Sequence, residues 1–315
     1  MRRRTLPTAP RALAALSMAA LAAVSLAACG GSGGSASPTD GPLTVVAGFY
    51  PLAYAAEQVG GDAVQVVNLT PPGAEAHDLE LSPQQVAEIG EADLVLYVPG
   101  FQPALDEAIA QVNPDRALDV TEAISLLPAE DHAHEGDHAH GDEGMPGDPH
   151  VWLNPLNMST IGDEIASRLG DLRDGASFAA GAEALTASMD ALNAQWEQGT
   201  AECRSRDLVV SHEAFGYLAQ QYDFTQIGIA GLTPEAEPSP ARIAEVADLV
   251  RANGVTTIYY ETLVDPKVAQ TLAAETGATT AILDPLEGLP EGSTGDYATV
   301  MQANLAQVRT GQGCT

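Results

Sequence analysis

The sequence predicts an α/β protein made of two parallel-sheet α/β lobes joined by a single long linker helix. Three observations carry that fold class. Short apolar and β-branched runs alternate with helical segments in two separate stretches, as parallel βαβ units require. Between the two stretches lies a long helical segment with one apolar stripe. The chain has 315 residues, 45% of them apolar, enough for two lobes of roughly 100–150 residues with a core each. One larger sheet is the competing arrangement.

The elements follow in order. Leu43–Ala47 reads as a buried strand, followed by a helix through Leu52–Val59 and a second strand from Val64 to Leu69 that ends in the turn Pro71-Pro72-Gly73. Ser82-Pro83 opens a helix, with Ser as N-cap and Pro in the first helical position. Leu94–Val98 is a third strand, closed by Pro99-Gly100. From Phe178 to Glu202 the chain is helical, and Ala182, Leu185, Met189, Leu192 and Trp196 recur at three- and four-residue steps. The second lobe begins with the strand Leu208–Val210, followed by a weaker strand at Gln226–Ile229 and a helix from Pro240 to Asn253 that Gly254 stops. Thr256–Tyr260 and Thr279–Leu283 are strands, and a final helix runs from Tyr297 to Val308.

The N-terminus has its own logic. Arg2, Arg3, Arg4 and Arg11 precede or open onto an uncharged Ala/Leu-rich run, Ala12 to Ala28, which reads as an export signal. The run is shorter than the ~20 residues of a spanning helix, although an uncleaved anchor is the alternative. Leu26-Ala27-Ala28-Cys29 resembles the lipobox of bacterial lipoproteins, whose Cys is lipidated and becomes the mature N-terminus. The expected organisation is therefore a signal peptide at 1–28 and a lipidated Cys29 with a Gly/Ser tether at 29–41. An N-terminal lobe at 42–175, a linker helix at 176–204 and a C-terminal lobe at 205–315 follow. This is a protein lipid-anchored to the outer face of the cell membrane. In that oxidising setting Cys203 and Cys314 are an even pair, expected to form a disulfide, with two free thiols as the alternative. With 13 basic against 43 acidic residues, a nucleic-acid partner is excluded, whereas an acidic surface suits the attraction of cations.

The histidines fall in four places: His77, the cluster His132, His134, His138 and His140, then His150, and His212. His77 follows the second strand, His212 follows the first strand of the second lobe, and Asp284 follows its last strand. His150 sits in a loop before a helix. Ligands of open α/β sheets bind beyond the carboxyl ends of strands. Three imidazoles and one carboxylate, two from each lobe, would make a four-coordinate metal site in the cleft. That donor set suits Zn2+, since Mn2+ favours more oxygen ligands.

Several motifs sharpen the reading. Pro72-Gly73-Ala74-Glu75-Ala76-His77-Asp78, Asp148-Pro149-His150-Val151-Trp152-Leu153-Asn154-Pro155 and Ser211-His212-Glu213-Ala214-Phe215-Gly216-Tyr217 resemble the ligand motifs of zinc-binding ABC-transporter receptors, the cluster A-I metal-receptor family. So do Glu235-Ala236-Glu237-Pro238-Ser239-Pro240 and Leu283-Asp284-Pro285-Leu286. The resemblance covers essentially the whole mature chain, in order. It implies a rigid linker helix and a metal held between the lobes for delivery to an ABC-transporter permease with its ATPase. The ligands it implies are His77, His150, His212 and Asp284. Manganese-specific relatives tend to carry a carboxylate where this chain has His212, which favours Zn2+ over Mn2+. Where some zinc receptors have a Glu directly before the first His, this chain has Ala76, so Glu75 or water remains an alternative fourth ligand. Glu237 and Glu261 are expected to orient metal-bound imidazoles.

The segment 130–143, with His132, His134, His138 and His140, is too poor in apolar residues to pack and dense in metal-binding side chains. It is expected to be a flexible, weaker zinc collector, as in many zinc receptors of that family, or else a solvated loop of no consequence. A zinc hydrolase is the competing class, with Glu213 as its base. Against it, the chain has no His-Glu-x-x-His helix and no nucleophile elbow. A zinc-dependent surface adhesin would share the fold. The expected protein is not an enzyme and works as a monomer.

Overall fold

The structure is a computed structural model that describes residues 41–129, 146–173, 176–234 and 236–315. Cys29, the signal and tether, and the four histidines of the 130–143 segment lie outside the described residues.

The first lobe is built on strands β1 (Leu43–Ala47), β2 (Val64–Asn68), β3 (Leu94–Tyr97) and β4 (Ala117–Asp119), all parallel, in the order β2-β1-β3-β4. Helices α1 (Tyr50–Gly60), α2 (Pro83–Glu91) and α3 (Pro103–Val112) connect them. Ser82 caps α2 in a reciprocal capping box with Gln85. The second lobe repeats the plan with β5 (Asp207–Val210), β6 (Thr225–Gly228), β7 (Thr257–Tyr260) and β8 (Thr279–Ile282), in the order β6-β5-β7-β8. Its helices are α6 (Gly216–Gln221), α7 (Pro240–Asn253), α8 (Lys267–Thr276) and α9 (Tyr297–Gln312). Two separate sheets remove the single-sheet alternative. Gly254, at φ +67°, ends α7, and Gly313, at φ +62°, ends α9 four residues beyond the predicted end.

Two long helices, α4 (Pro155–Leu172) and α5 (Ala176–Thr200), pack along each other between the sheets. At ~1.5 Å per residue, the 25 residues of α5 reach about 37 Å, enough to run from one lobe to the other. Its predicted stripe, Ala182, Leu185, Met189, Leu192 and Trp196, is buried throughout, as is Phe178 one turn before it. Gly181 allows the close approach of α1, since a Cβ there would lie 2.1 Å from the carbonyl oxygen of Val59. One continuous core therefore joins Leu94 of the first sheet, Met189 and Trp196 of α5, and Leu208 and Tyr297 of the second lobe.

Cys203, just past α5, is disulfide-bonded to Cys314, just past α9. The bridge closes a separation of 111 residues, for which chain entropy predicts about 4–5 kcal/mol of stabilisation.

Candidate metal centre

Each histidine is delivered by a short, hydrogen-bonded loop. Beyond β2, Thr70 donates to the carbonyl of Gly48 at 2.8 Å. The buried amide of Gln102 donates to the Thr70 hydroxyl at 3.1 Å and to the carbonyl of Ala76 at 3.0 Å, which fixes the residue before His77. His150 lies in an Asx turn. Asp148 accepts from the backbone N–H of His150 at 2.9 Å and from its ring Nδ1 at 2.7 Å. Tyr217 of α6 reaches across from the second lobe to the carbonyl of Asp148 at 2.8 Å. His212 is the second residue past β5 and Glu261 directly follows β7, and the two meet at 2.6 Å between Nδ1 and Oε1. Glu261 also accepts from the hydroxyl of Ser211.

The outcome is a set of imidazoles whose chemistry is fixed at both ends. A carboxylate can only accept, so Nδ1 of His150 and of His212 carries a proton, and in the neutral imidazole that binds metal Nε2 keeps its lone pair. Those Nε2 atoms converge with His77 Nε2 and Glu287 Oε1 within 4.8 Å of one another. The distances from Glu287 Oε1 are 3.6 Å to His77, 3.4 Å to His150 and 3.2 Å to His212. His150 and His212 are 3.4 Å apart, Nε2 to Nε2. A charge-assisted hydrogen bond would be about 2.7–2.9 Å. A tetrahedron of ligands about 2.0–2.1 Å from zinc has edges of about 3.3 Å. Four of the six separations, 3.2–3.6 Å, thus match those of ligands around one ion, and the Nδ1 contacts stand at hydrogen-bond separation.

Burial points the same way. His150 and His212 are fully buried and Glu287 is 3% exposed. Among the described residues, His77 Nε2 and Glu287 Oε1 are buried without a hydrogen-bond partner. A buried carboxylate with an unfilled lone pair is costly unless a cation meets it. Burial lowers the His77 pKa, only partly countered by Glu287. Burial also opposes protonation of His150 and His212, but their carboxylates outweigh it. Asp148 and Glu287 raise the first, while Glu261 and Glu287 raise the second well above the ordinary imidazole value. Burial pushes Glu287 up, and the surrounding imidazoles, His77 and His212 foremost, bring it well below the usual carboxylate range. This is a nest tuned for positive charge. Phe101 lies edge-on against His77 at 4.4 Å between ring centroids, and Trp152 lies 5.2 Å from His150, walling the donors off from water.

The predicted carboxylates fare differently. Asp284, expected as fourth ligand, is turned away from the histidines: Oδ1 accepts from the backbone N–H of Leu286 at 2.8 Å and Oδ2 from Thr262 at 2.8 Å. Glu287, three residues later, is the carboxylate that the structure brings together with the three imidazoles. Sequence reading missed it by stopping at the first carboxylate after β8; the signal available was a second acid in Asp284-Pro285-Leu286-Glu287. Glu75 accepts from the backbone N–H of His77 at 3.3 Å and is not among the four. Glu261 stands behind His212, whereas Glu237 is exposed on the loop before α7, and Asp148 fills the orienting role at His150 that no expectation assigned. Glu213, the base of the hydrolase alternative, lies 3.8 Å from Arg242 and is not among the four clustered residues.

Comparison with known proteins gives a consistent result. The family model described as zinc-uptake complex component A, periplasmic, matches residues 45–311. The zinc-binding lipoprotein AdcA of Streptococcus pneumoniae serotype 4 (strain TIGR4) is 35% identical over 287 residues, which is 86% of this chain and 56% of that protein. The chain thus spans little more than half the length of that curated relative. The high-affinity zinc uptake system protein ZnuA of Bacillus subtilis (strain 168) is 31% identical over 275 residues, 84% of this chain and 85% of its own. The solved laminin-binding protein Lmb of Streptococcus agalactiae, described as having adhesin and metal transporting activity, superimposes with a TM-score of 0.74. It is 30% identical, over 86% of this chain and 99% of that one.

Proposed function

The chain belongs to the zinc-uptake component A family, and on that premise we propose that it is a high-affinity extracytoplasmic receptor for Zn2+. It captures the ion in the cleft and delivers it to an ABC-transporter permease driven by its ATPase. The observation that carries this reading is the convergence of three buried imidazole Nε2 atoms and one buried carboxylate oxygen within 4.8 Å of one another, with the carboxylate 3.2–3.6 Å from each nitrogen, close to the edge of a zinc tetrahedron. His77, His150, His212 and Glu287 are the ligands, and Asp148 and Glu261 hold the imidazoles that bind. Four protein donors fill the shell and leave no corner for the activated water of a zinc hydrolase. Capture and release, not turnover, fit such a site. Three nitrogens and one oxygen favour Zn2+ over Mn2+.

The remaining parts extend the same reading. Lipidation of Cys29 tethers the monomer to the outer face of the membrane. The segment with His132, His134, His138 and His140 gathers zinc weakly, because it loses chain entropy on binding where the cleft is preformed. A competitive zinc titration of the soluble mature chain tests the whole. It is run beside His212→Ala and a variant lacking residues 131–143. A tight one-to-one site that survives the deletion and collapses in His212→Ala supports the reading. Tight binding that vanishes with the deletion and ignores His212 overturns it. The similarity to the streptococcal laminin-binding protein favours a second role as an adhesin, measured as zinc-dependent binding of the chain to immobilised laminin.

A further inference from the structure

Glu287 is placed by an unusual piece of backbone. Leu286, immediately before it, has φ +60°, in the left-handed region that residues with a side chain rarely adopt. It is fully buried there, without the conformational freedom of a glycine. A turn of this kind persists only where its surroundings over-determine it, and five hydrogen bonds do so. Asp284 Oδ1 accepts from the N–H of Leu286 at 2.8 Å, and Thr262 steadies the other carboxylate oxygen at 2.8 Å. Trp152, two residues beyond His150, donates its indole N–H to the carbonyl of Pro285 at 2.7 Å. From α9, the side chain of Asn304, 2% exposed, accepts from the N–H of Asp284 at 2.9 Å and donates to the carbonyl of Asp284 at 2.7 Å.

The side chain of Asn304 hydrogen-bonds to the backbone of Asp284 and not to the histidine cluster, and so satisfies both backbone groups of the residue from which the turn departs. Loss of its amide leaves a buried N–H and a buried C=O without partners. The segment would then relax toward an ordinary φ at Leu286, and the following carboxylate would leave the fourth corner. We propose that Asn304 is a positioning residue for metal capture: with Asp284 it holds the left-handed turn at Leu286 that aims Glu287 at the three imidazoles. Asp284 serves the metal through the backbone. The Trp152–Pro285 bond extends the frame across the cleft, so that the loops of His150 and Glu287 are fixed to each other before an ion arrives. Such a preset oxygen corner favours a four-coordinate ion over one that needs extra oxygens.

The inference rests on the zinc-receptor reading, and its test separates the two. Asn304→Leu, which keeps the side-chain size and removes both polar atoms, is compared with wild type, Glu287→Gln and His212→Ala. Zinc affinity is measured by competition, Co2+ is used as a spectroscopic probe of the ligand shell, and denaturant unfolding of the zinc-free protein reports the fold. Asn304→Leu is expected to weaken zinc 10–100-fold, the range for groups that orient metal ligands. Its Co2+ absorption should shift in the same sense as that of Glu287→Gln, with cooperative unfolding retained. Wild-type affinity, or weakened affinity with an unshifted Co2+ spectrum, overturns the proposal. If Asn304→Leu does not fold, Thr262→Val decides, since it removes only the hydroxyl donor to Asp284: a smaller loss with the same spectral shift supports the proposal, and wild-type behaviour overturns it. Indifference of zinc binding to His212→Ala would instead overturn the receptor reading itself.

Discussion

Replacing Glu287 by Gln separates the two candidate fourth ligands. The substitution is nearly isosteric, so packing against the imidazoles is kept while the negative charge is lost. A four-ligand zinc site is worth about 10–16 kcal/mol in total, so one corner of the tetrahedron contributes roughly 2.5–4 kcal/mol. That corresponds to a Kd weaker by about two to three orders of magnitude. The counterpart, Asp284→Asn, keeps an oxygen that can accept from the Leu286 N–H and should weaken zinc far less. The assay is competition against a chelator of known affinity at pH 7.5, with the zinc-induced rise in Tm as an independent readout. Ligand bound at about 100 times its Kd adds about 2.7 kcal/mol to stability, so loss of binding shows directly as loss of that increment. If Asp284→Asn collapsed binding and Glu287→Gln left Kd within a few-fold of wild type, the assignment of the fourth corner would be refuted.

Three further predictions concern pH and the disulfide. Zinc binds only neutral imidazole, and the carboxylates facing His150 and His212 raise their pKa values above the ordinary ~6.5. Protons therefore compete from above that value, and affinity should fall by about tenfold per pH unit for each imidazole protonated. A Kd flat from pH 7.5 to 5 would be incompatible with three imidazole ligands. The zinc-free protein should show the opposite trend, because the stability its two protonated imidazoles contribute is fully present below the unfolded pKa. It is lost as pH rises through the raised folded value, so Tm without zinc should be higher near pH 6 than near pH 8. Opening the Cys203–Cys314 bridge, in a Cys203→Ala, Cys314→Ala variant, should lower unfolding stability in denaturant by about 4–5 kcal/mol. It should leave zinc stoichiometry at one, because Cys203 precedes β5 and Cys314 follows α9, whereas His212 lies beyond the other end of β5. A loss of zinc binding in a folded variant would contradict that separation.

Much of this protein is legible in local sequence because it rests on local physics. Alternating βαβ patterning, the Ser82 cap and the Asn253-Gly254 stop are set by side-chain periodicity and backbone preference within a few residues. Strand ends are therefore readable, and with them the loops that carry His77 and His212. The even pair of cysteines needed only arithmetic and a compartment. The short edge strand β4 was not readable, since three half-buried residues carry no alternation to detect.

Tertiary structure decided the carboxylates. Asp284, Glu287, Glu261 and Glu237 are chemically equivalent in a linear chain. Which of them reaches an imidazole depends on the turn at Leu286, on the adjacency of β5 and β7, and on bonds from Trp152 and Asn304, 133 and 20 residues away. An imidazole's place follows from the strand before it. The place of a carboxylate on a flexible stem follows from the backbone conformation beneath it, and distant parts of the chain fix that conformation.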